Sequence, residues 1–350
     1  MSSIKLKGST SGDITISAPA EAGTNTLTLP AQTGIVPISD VEFITQRKTA
    51  TPIFINGDMG IWQRGTALAS ASGTYACDRF WYAGTGATSQ RSTEVPSGFV
   101  YSNKLTYGSS DMSIGQPIEL PATGKQGIFI AGQTVTIAFY GKVDSGTEGI
   151  TVNINARNEK FSGTNSTSFT ISDNAVTLTT DWQRFTKTFT IPTINANNVM
   201  IAFELGGIGK TAYFTGFQCE LGTYDSNSIP DFQFEDVATS LARCQRYFVT
   251  TYNEGVVPGT NGSKHGAIFV YRQRDNNYAG FNFQFPVGMR TIPAQVRYSL
   301  DGTSGQATAS TTNFTSSTNH AINGTSSVIA YGTGTAADDC YQHFTCDAEL

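Results

Sequence analysis

Along almost every stretch of this chain that could form regular structure, apolar residues alternate with polar ones at a spacing of two. That period puts one face of a strand in a core and cannot place an apolar stripe on a helix. The runs are Val135–Tyr140, Ile150–Ala156, Ser168–Ile171, Val176–Leu178, Phe185–Ile191, Val199–Leu205 and Ala212–Leu221, with Gly, Asn, Asp and Pro between them. A further set follows at Phe248–Thr251, Ala267–Arg272, Ala279–Phe285, Gln295–Leu300, Ser327–Tyr331 and Cys340–Cys346. The exception is Asp236–Phe248, where Val237, Leu241, Cys244 and Phe248 form a helical stripe. Asp236 is placed to cap its start, and Arg243 and Arg246 suit its C-terminal dipole. The expected fold is therefore all-β: an N-terminal β arm, a jelly-roll β-sandwich, a short linker helix and a second, C-terminal β-sandwich.

At 350 residues the chain exceeds the ~250–300 at which single cores stop growing, so two domains and an appendage are expected. The boundaries fall at 1–48 (arm), 49–225 (jelly roll), 226–248 (linker and hinge helix) and 249–350 (C-terminal sandwich). In the arm, Ile4–Leu6, Ile14–Ile16 and Leu27–Leu29 are alternating pieces too short to bury much alone, so a partner chain or particle surface is expected to order them. Charged residues are 14% of the chain, which leaves hydroxyls, amides and 36 glycines to build the surface, as in extracellular β proteins. The net charge of −5 gives no basic stripe for a phosphate backbone, so nucleic acid is not an expected partner. Neither a secretory leader pattern nor an apolar run of membrane-spanning length occurs, and membrane insertion is not expected. The five cysteines are odd in number and scattered, and are expected to be buried thiols made in a reducing compartment.

Four motifs then occur in order: INGDMGIWQRGTA (55–67), YACDRFWY (75–82), TDWQRFTKTFTIP (180–192) and FTGFQCELGTYDS (214–226). Together they resemble the jelly-roll module, related to carbohydrate-binding modules, of bacteriophage tail-fibre proteins. LARCQRYF (241–248), FNFQFPVGMRTIPAQV (281–296), the ending CDAEL (346–350) and the opening at 8–34 are similar to segments of such fibres. The resemblance implies a non-enzymatic virion protein, assembled in the host cytoplasm and exposed on the particle surface. As a homotrimer it would bind a host cell-surface glycan, with residues 1–48 joining a tail adaptor or baseplate. Two other roles stay open: a capsid-bound head fibre or decoration, and a glycan-depolymerising tailspike, although no 20–25-residue β-helix repeat is present.

No residue set selects a catalytic chemistry. Gly206–Thr211 (GGIGKT) has Glu204 where a phosphate loop needs its first glycine, and a strand follows it where a helix is required, so a Gly-rich hairpin turn is expected. Cys340, His343 and Cys346 alternate faces on a strand and do not converge on zinc; core cysteines with a surface histidine are expected. Three histidines and no clustered carboxylates give neither a triad nor a glycosidase pair. Sugar rings stack on flat aromatic faces beside hydrogen-bonding groups, and Tyr82, Tyr107, Tyr252, Arg274, Asp275 and Tyr278 are the expected glycan contacts. Trp62, Trp81 and Trp182 are assigned to packing. Related jelly rolls carry a structural calcium, for which Asp58 and Glu220 would be the ligands.

Overall fold

The computed structural model describes residues 3–7, 11–17 and 52–350, apart from 70–72, 121–128, 158–164, 169–173, 195, 207–208, 262–263, 274–277, 310–311, 316–321 and 334–339. Two compact units divide the chain, Met1–Ile44 and Thr45–Leu350. In the first, β1 (Ser3–Lys7) and β2 (Asp13–Ser17) pair antiparallel with Ile4 opposite Ile16 and Leu6 opposite Ile14, two of the expected alternating pieces. Leu27–Leu29 lies outside the described residues.

The second unit begins with a jelly-roll sandwich. One sheet runs in the order β13 (Gln183–Thr190), β9 (Thr134–Val143), β15 (Thr211–Leu221), β7 (Ser102–Thr106), β6 (Thr88–Ser92), β3 (Ala67–Ala69). The facing sheet runs β11 (Asn165–Ser168), β10 (Glu148–Arg157), β14 (Asn198–Leu205), β8 (Met112–Glu119), β5 (Trp81–Ala83), β4 (Thr74–Tyr75), with β12 (Ala175–Leu178) also on β10. Every pairing is antiparallel, and β7 to β8, β9 to β10, β13 to β14 and β14 to β15 each cross from one sheet to the other. The expected strands at 135–140, 150–156, 185–191, 199–205 and 212–221 lie within or across β9, β10, β13, β14 and β15. β14 and β15 belong to opposite sheets, so they do not form the hairpin expected around Gly206–Thr211; residues 207 and 208 lie outside the described residues.

Inward-phase residues of both sheets meet in an aromatic core, with Phe203 edge-on to Phe139 at 4.8 Å and Phe217 5.0 Å from Phe203. Fully burying each such ring contributes roughly 1.5–3 kcal/mol. Trp62 belongs to this core, as expected.

A short helix, Val237–Gln245, leaves the sandwich; Asp236 caps it by accepting the Thr239 N–H at 3.0 Å. Of the expected stripe, Cys244 and Phe248 are buried and Leu241 is half-buried, whereas Val237 at its start is 71% exposed; Ser240 is buried as well. The helix is tied down by polar contacts: Arg243 donates to Pro52 O at 2.6 Å, and Arg246 makes a two-pronged pair with Glu119 at 2.8 and 3.0 Å.

Beyond the helix lies an antiparallel sheet centred on β24 (Cys340–Asp347). Residues 340–342 of β24 pair with β17 (Ile268–Gln273) and β20 (Gln306–Ala309), and residues 343–347 pair with β16 (Phe248–Thr250) and β19 (Ala294–Tyr298). On the far side of β17 stand β18 (Tyr278–Gln284), β23 (Ser327–Thr333) and β22 (Ile322–Asn323), and β21 (Thr312–Thr315) pairs β20. The strands at 306–309, 312–315 and 322–323 were not among those expected; they are short and rich in Ala, Thr and Asn. All five cysteines are free and buried, as read from their number. His343 is also buried, stacked on Tyr252 at 4.1 Å and bonded to Thr251 Oγ1 at 3.0 Å, which corrects the expectation of a surface histidine.

The first two sequence motifs interlock. Asn56 holds φ +60 and donates to Ile61 O and Asp78 O, both at 3.0 Å. Asp78 accepts the Gln63 N–H and an Arg64 N–H, each at 2.8 Å, and burial still pushes its carboxyl up to about 6. Arg64 reaches Glu349 at 3.1 Å, Arg79 pairs with the other oxygen of Glu349, and their guanidinium groups lie over Phe248 at 3.7 Å and Tyr247 at 3.5 Å. The sandwich, the helix exit and the final strand are thus held on one buried charge network. Replacing Glu349 by Ala leaves the buried Arg79 without a carboxylate while Arg64 keeps Asp78 and Asp347, and we expect a loss of about 3–5 kcal/mol in urea unfolding with both sheet systems destabilised together.

Candidate functional site

Strand alternation that fills the core also sets what faces outward. On the β13–β9–β15–β7–β6 sheet, Val135, Ile137, Phe139 and Val143 of β9 point inward, and so do Ala212 and Phe214 of β15. The opposite phase carries Tyr140 and Lys142 on β9, Tyr213 on β15, Lys104 on β7 and Gln90 on β6. Register aligns these in a row: Gln90 pairs with Lys104, Lys104 with Tyr213, and Tyr213 with Lys142. Trp182, just before β13, extends the row, its ring edge-on to Tyr213 at 6.4 Å and 68°. Gln90 is exposed and the other four are half-buried, so the row forms an open shelf.

Charge is distributed along it. Lys142 Nζ stands 5.6 Å over the Tyr213 ring and 2.9 Å from Glu94, whose side chain is exposed. Lys142 thus sets an ammonium over the outer face of the ring.

The neighbouring row is closed. Tyr140 packs under Phe99 at 5.4 Å, and Phe99 contacts Phe232 and Phe234, each at 5.1 Å. Arg184 donates to Gln218 Oε1 at 2.6 Å and Pro230 O at 2.7 Å, which straps segment 229–234 over this end. Gly216, in the bulge of β15 at φ +66, makes the closure possible: a Cβ there would lie 2.8 Å from both Phe99 Cζ and Tyr140 Cδ2.

The tyrosines expected to present open faces do not all do so. Tyr82 is fully buried and donates to Leu68 O at 3.0 Å; Tyr107 and Tyr252 are each 7% exposed. They lie in the inward phase or, for Tyr252, under His343, which removes them as sugar platforms and corrects that expectation. Tyr278 begins β18, apart from the jelly-roll sheets, while Arg274 and Asp275 lie outside the described residues. Asp58 and Glu220 line two different clefts, and among the described residues no group of three His, Cys, Asp or Glu could hold a metal ion. Tyr213, Lys142, Lys104 and Gln90 were missed, and Trp182 was assigned to packing. For Tyr213, Lys142 and Lys104 the mark was available in sequence, since each stands one residue out of phase with the apolar set; β6 has no apolar residue to set the phase of Gln90, and Trp182 precedes β13.

Residues 81–212 match the model of the carbohydrate binding domain family. A search of curated proteins found no match. Among solved structures, one described as "CBM4 structure and function" is 26% identical and covers 41% of this chain and 88% of its own, with a TM-score of 0.30. The CBM22-1 xylan-binding domain from Paenibacillus barcinonensis Xyn10C is 13% identical, covering 46% of this chain and 98% of its own (TM-score 0.32). Tailspike protein 4 of bacteriophage CBA120 is 12% identical, covering 49% and 21% (TM-score 0.30). The family model accounts for all but one residue of the shelf, Tyr213 standing one position beyond it.

A substitution at the bulge tests the closed end. Gly216→Ala is expected to lower stability by about 1–3 kcal/mol through forced left-handed backbone and displaced rings, read as a drop in thermal midpoint.

Proposed function

We propose that this chain is a non-catalytic glycan-binding protein of a bacteriophage virion, acting as a tail fibre that attaches the particle to the host surface. The observation that carries the binding half is the open row Gln90, Lys104, Tyr213, Lys142 and Trp182 on the outer face of one jelly-roll sheet. The carbohydrate-binding-domain match over residues 81–212 supports the same reading. The fibre half is supported by the ordered sequence motifs and by the short β pieces of residues 1–48, which on this reading assemble as a homotrimer on a tail adaptor or baseplate.

Recognition follows from rigidity and repetition. A sugar laid along the row stacks on Trp182 and Tyr213 and meets lysine and amide hydrogen bonds at either side. Each aromatic contact supplies on the order of 1 kcal/mol beyond its area burial, so one site binds weakly. Three copies per fibre and several fibres per particle then raise avidity through effective concentration by about 10²–10⁴, with no bond made or broken in the glycan.

Two measurements test the halves separately. In affinity electrophoresis through purified bacterial lipopolysaccharide or capsular polysaccharide, the chain is expected to be retarded. The Tyr213→Ala/Trp182→Ala double variant should lose at least tenfold in affinity at unchanged thermal midpoint; equal retardation of both proteins removes the shelf as the site. Imaging of the intact virion is expected to place residues 1–48 at the tail, and density for them on the capsid lattice overturns the tail-fibre assignment.

A further inference from the structure

A second concavity lies away from the shelf, at the end of the sandwich where the helix begins. Its volume is about 420 Å³, within the ~300–1,000 Å³ of small-molecule sites. Asp58, Arg91 and Glu254 supply its charged lining beside Tyr101, while Val100 and Val237 stand at its edge. Glu235 also borders it, but its carboxylate is engaged by Arg243 at 2.6 Å.

Asp58, Arg91 and Glu254 line this one cleft. Arg91 lies over the Tyr101 ring at 4.6 Å and reaches Glu254 at 3.4 Å, a loose pair whose members are 28% and 47% exposed. Asp58 is half-buried, its carboxyl takes the Gly60 backbone N–H, and no ion pair engages it among the described residues. The apolar groups are unusually open: Val100 is 67% and Val237 71% exposed. A carboxylate that accepts two O–H bonds, beside a guanidinium that donates two N–H bonds, matches a pair of adjacent hydroxyls in which each oxygen both donates and accepts. Bare valines beside that polar floor match the C–H face of the same ring.

We infer that this cleft is a second carbohydrate site, taking the terminal residue of a glycan end-on, with a vicinal diol held between Asp58 and Arg91 and the pyranose C–H face against Val100 and Val237. The occupant is one or two sugar units, because the cleft is bounded by the helix and the 254 loop and is not an open row. The inference rests on the carbohydrate-binding reading of the jelly roll but uses none of the shelf residues. One chain would thus hold a polymer along its shelf and read a glycan terminus in its cleft.

Saturation-transfer NMR with the methyl glycosides of glucose, galactose and mannose and their common disaccharides tests this on the full chain. At least one probe is expected to show transfer that survives in Tyr213→Ala/Trp182→Ala. The same transfer should weaken at least tenfold in Asp58→Asn and in Arg91→Met, the latter keeping an aliphatic stem against Tyr101, with thermal midpoints unchanged in both. Transfer that persists in the cleft variants but vanishes in the shelf variant overturns the inference and leaves the shelf reading standing. Transfer lost only in the cleft variants, with polysaccharide retardation indifferent to the shelf variant, upholds the cleft and removes the shelf. If no probe shows transfer to any form, the cleft assignment falls.

Discussion

Arg64 and Arg79 carry two positive charges into a region from which water is excluded, and the rest of the second unit is arranged to receive them. Three carboxylates answer them, Asp78 from the same pair of motifs and Asp347 and Glu349 from the far end of the sequence, while Tyr247 and Phe248 offer their ring faces. Desolvating such a set costs several kcal/mol per ion, and mutual attraction returns that only when the geometry is complete. Net stabilisation over an apolar equivalent is therefore small, but the penalty for any incomplete arrangement is large. A network of this kind acts chiefly as a register pin. It permits one docking of the C-terminal sheet against the sandwich and penalises the others.

That pin bears on how the molecule holds a ligand. Arg246 with Glu119, Arg290 with the Ala348 and Glu349 carbonyls, and Gln63 with the Phe248 carbonyl extend it around the junction. Arg79 itself sits at φ +69, a backbone region that non-glycine residues occupy only where their surroundings over-determine it. Two β bodies so joined present their outer faces at fixed relative positions. The shelf lies on strands whose inward faces are clamped by the phenylalanine core, so its rings are held in place before any sugar arrives. If the row is the proposed glycan site, binding there forfeits little side-chain entropy, which favours affinity in a shallow, half-polar row.

Much of this was legible in sequence, because alternation at period two is dictated by the pleat and needs no knowledge of partners. The strands from Val135 to Leu221 follow from it, and so does the Asp236 cap, whose requirements are local. The helix stripe held at Leu241, Cys244 and Phe248 but not at Val237, and the partners of Arg243 and Arg246, Pro52 and Glu119, lie too far along the chain to be read locally. The outward row proposed as the site was overlooked for a related reason. Aromatic residues near turns drew attention, yet a ring's accessibility depends on strand phase: Tyr82 falls in the core and Tyr213 does not. The motifs carrying the resemblance, INGDMGIWQRGTA and YACDRFWY, supply the buried pin, whereas the candidate site is built mainly from residues between and beyond them. Ion pairs separated by hundreds of residues leave no periodic trace.

The pairing of Arg79 with Glu349 spans 270 residues. On a ribosome adding about 5–20 residues per second, that interval is roughly 14–54 s. Through all of it the sandwich can assemble its phenylalanine core while its two arginines lack their C-terminal counter-charges. Arg64 and Asp78, 14 residues apart, can meet as soon as both are made, whereas Arg79 has no carboxylate until the last residues of the sequence are added, so its burial is tied to completion of the C-terminal sheet.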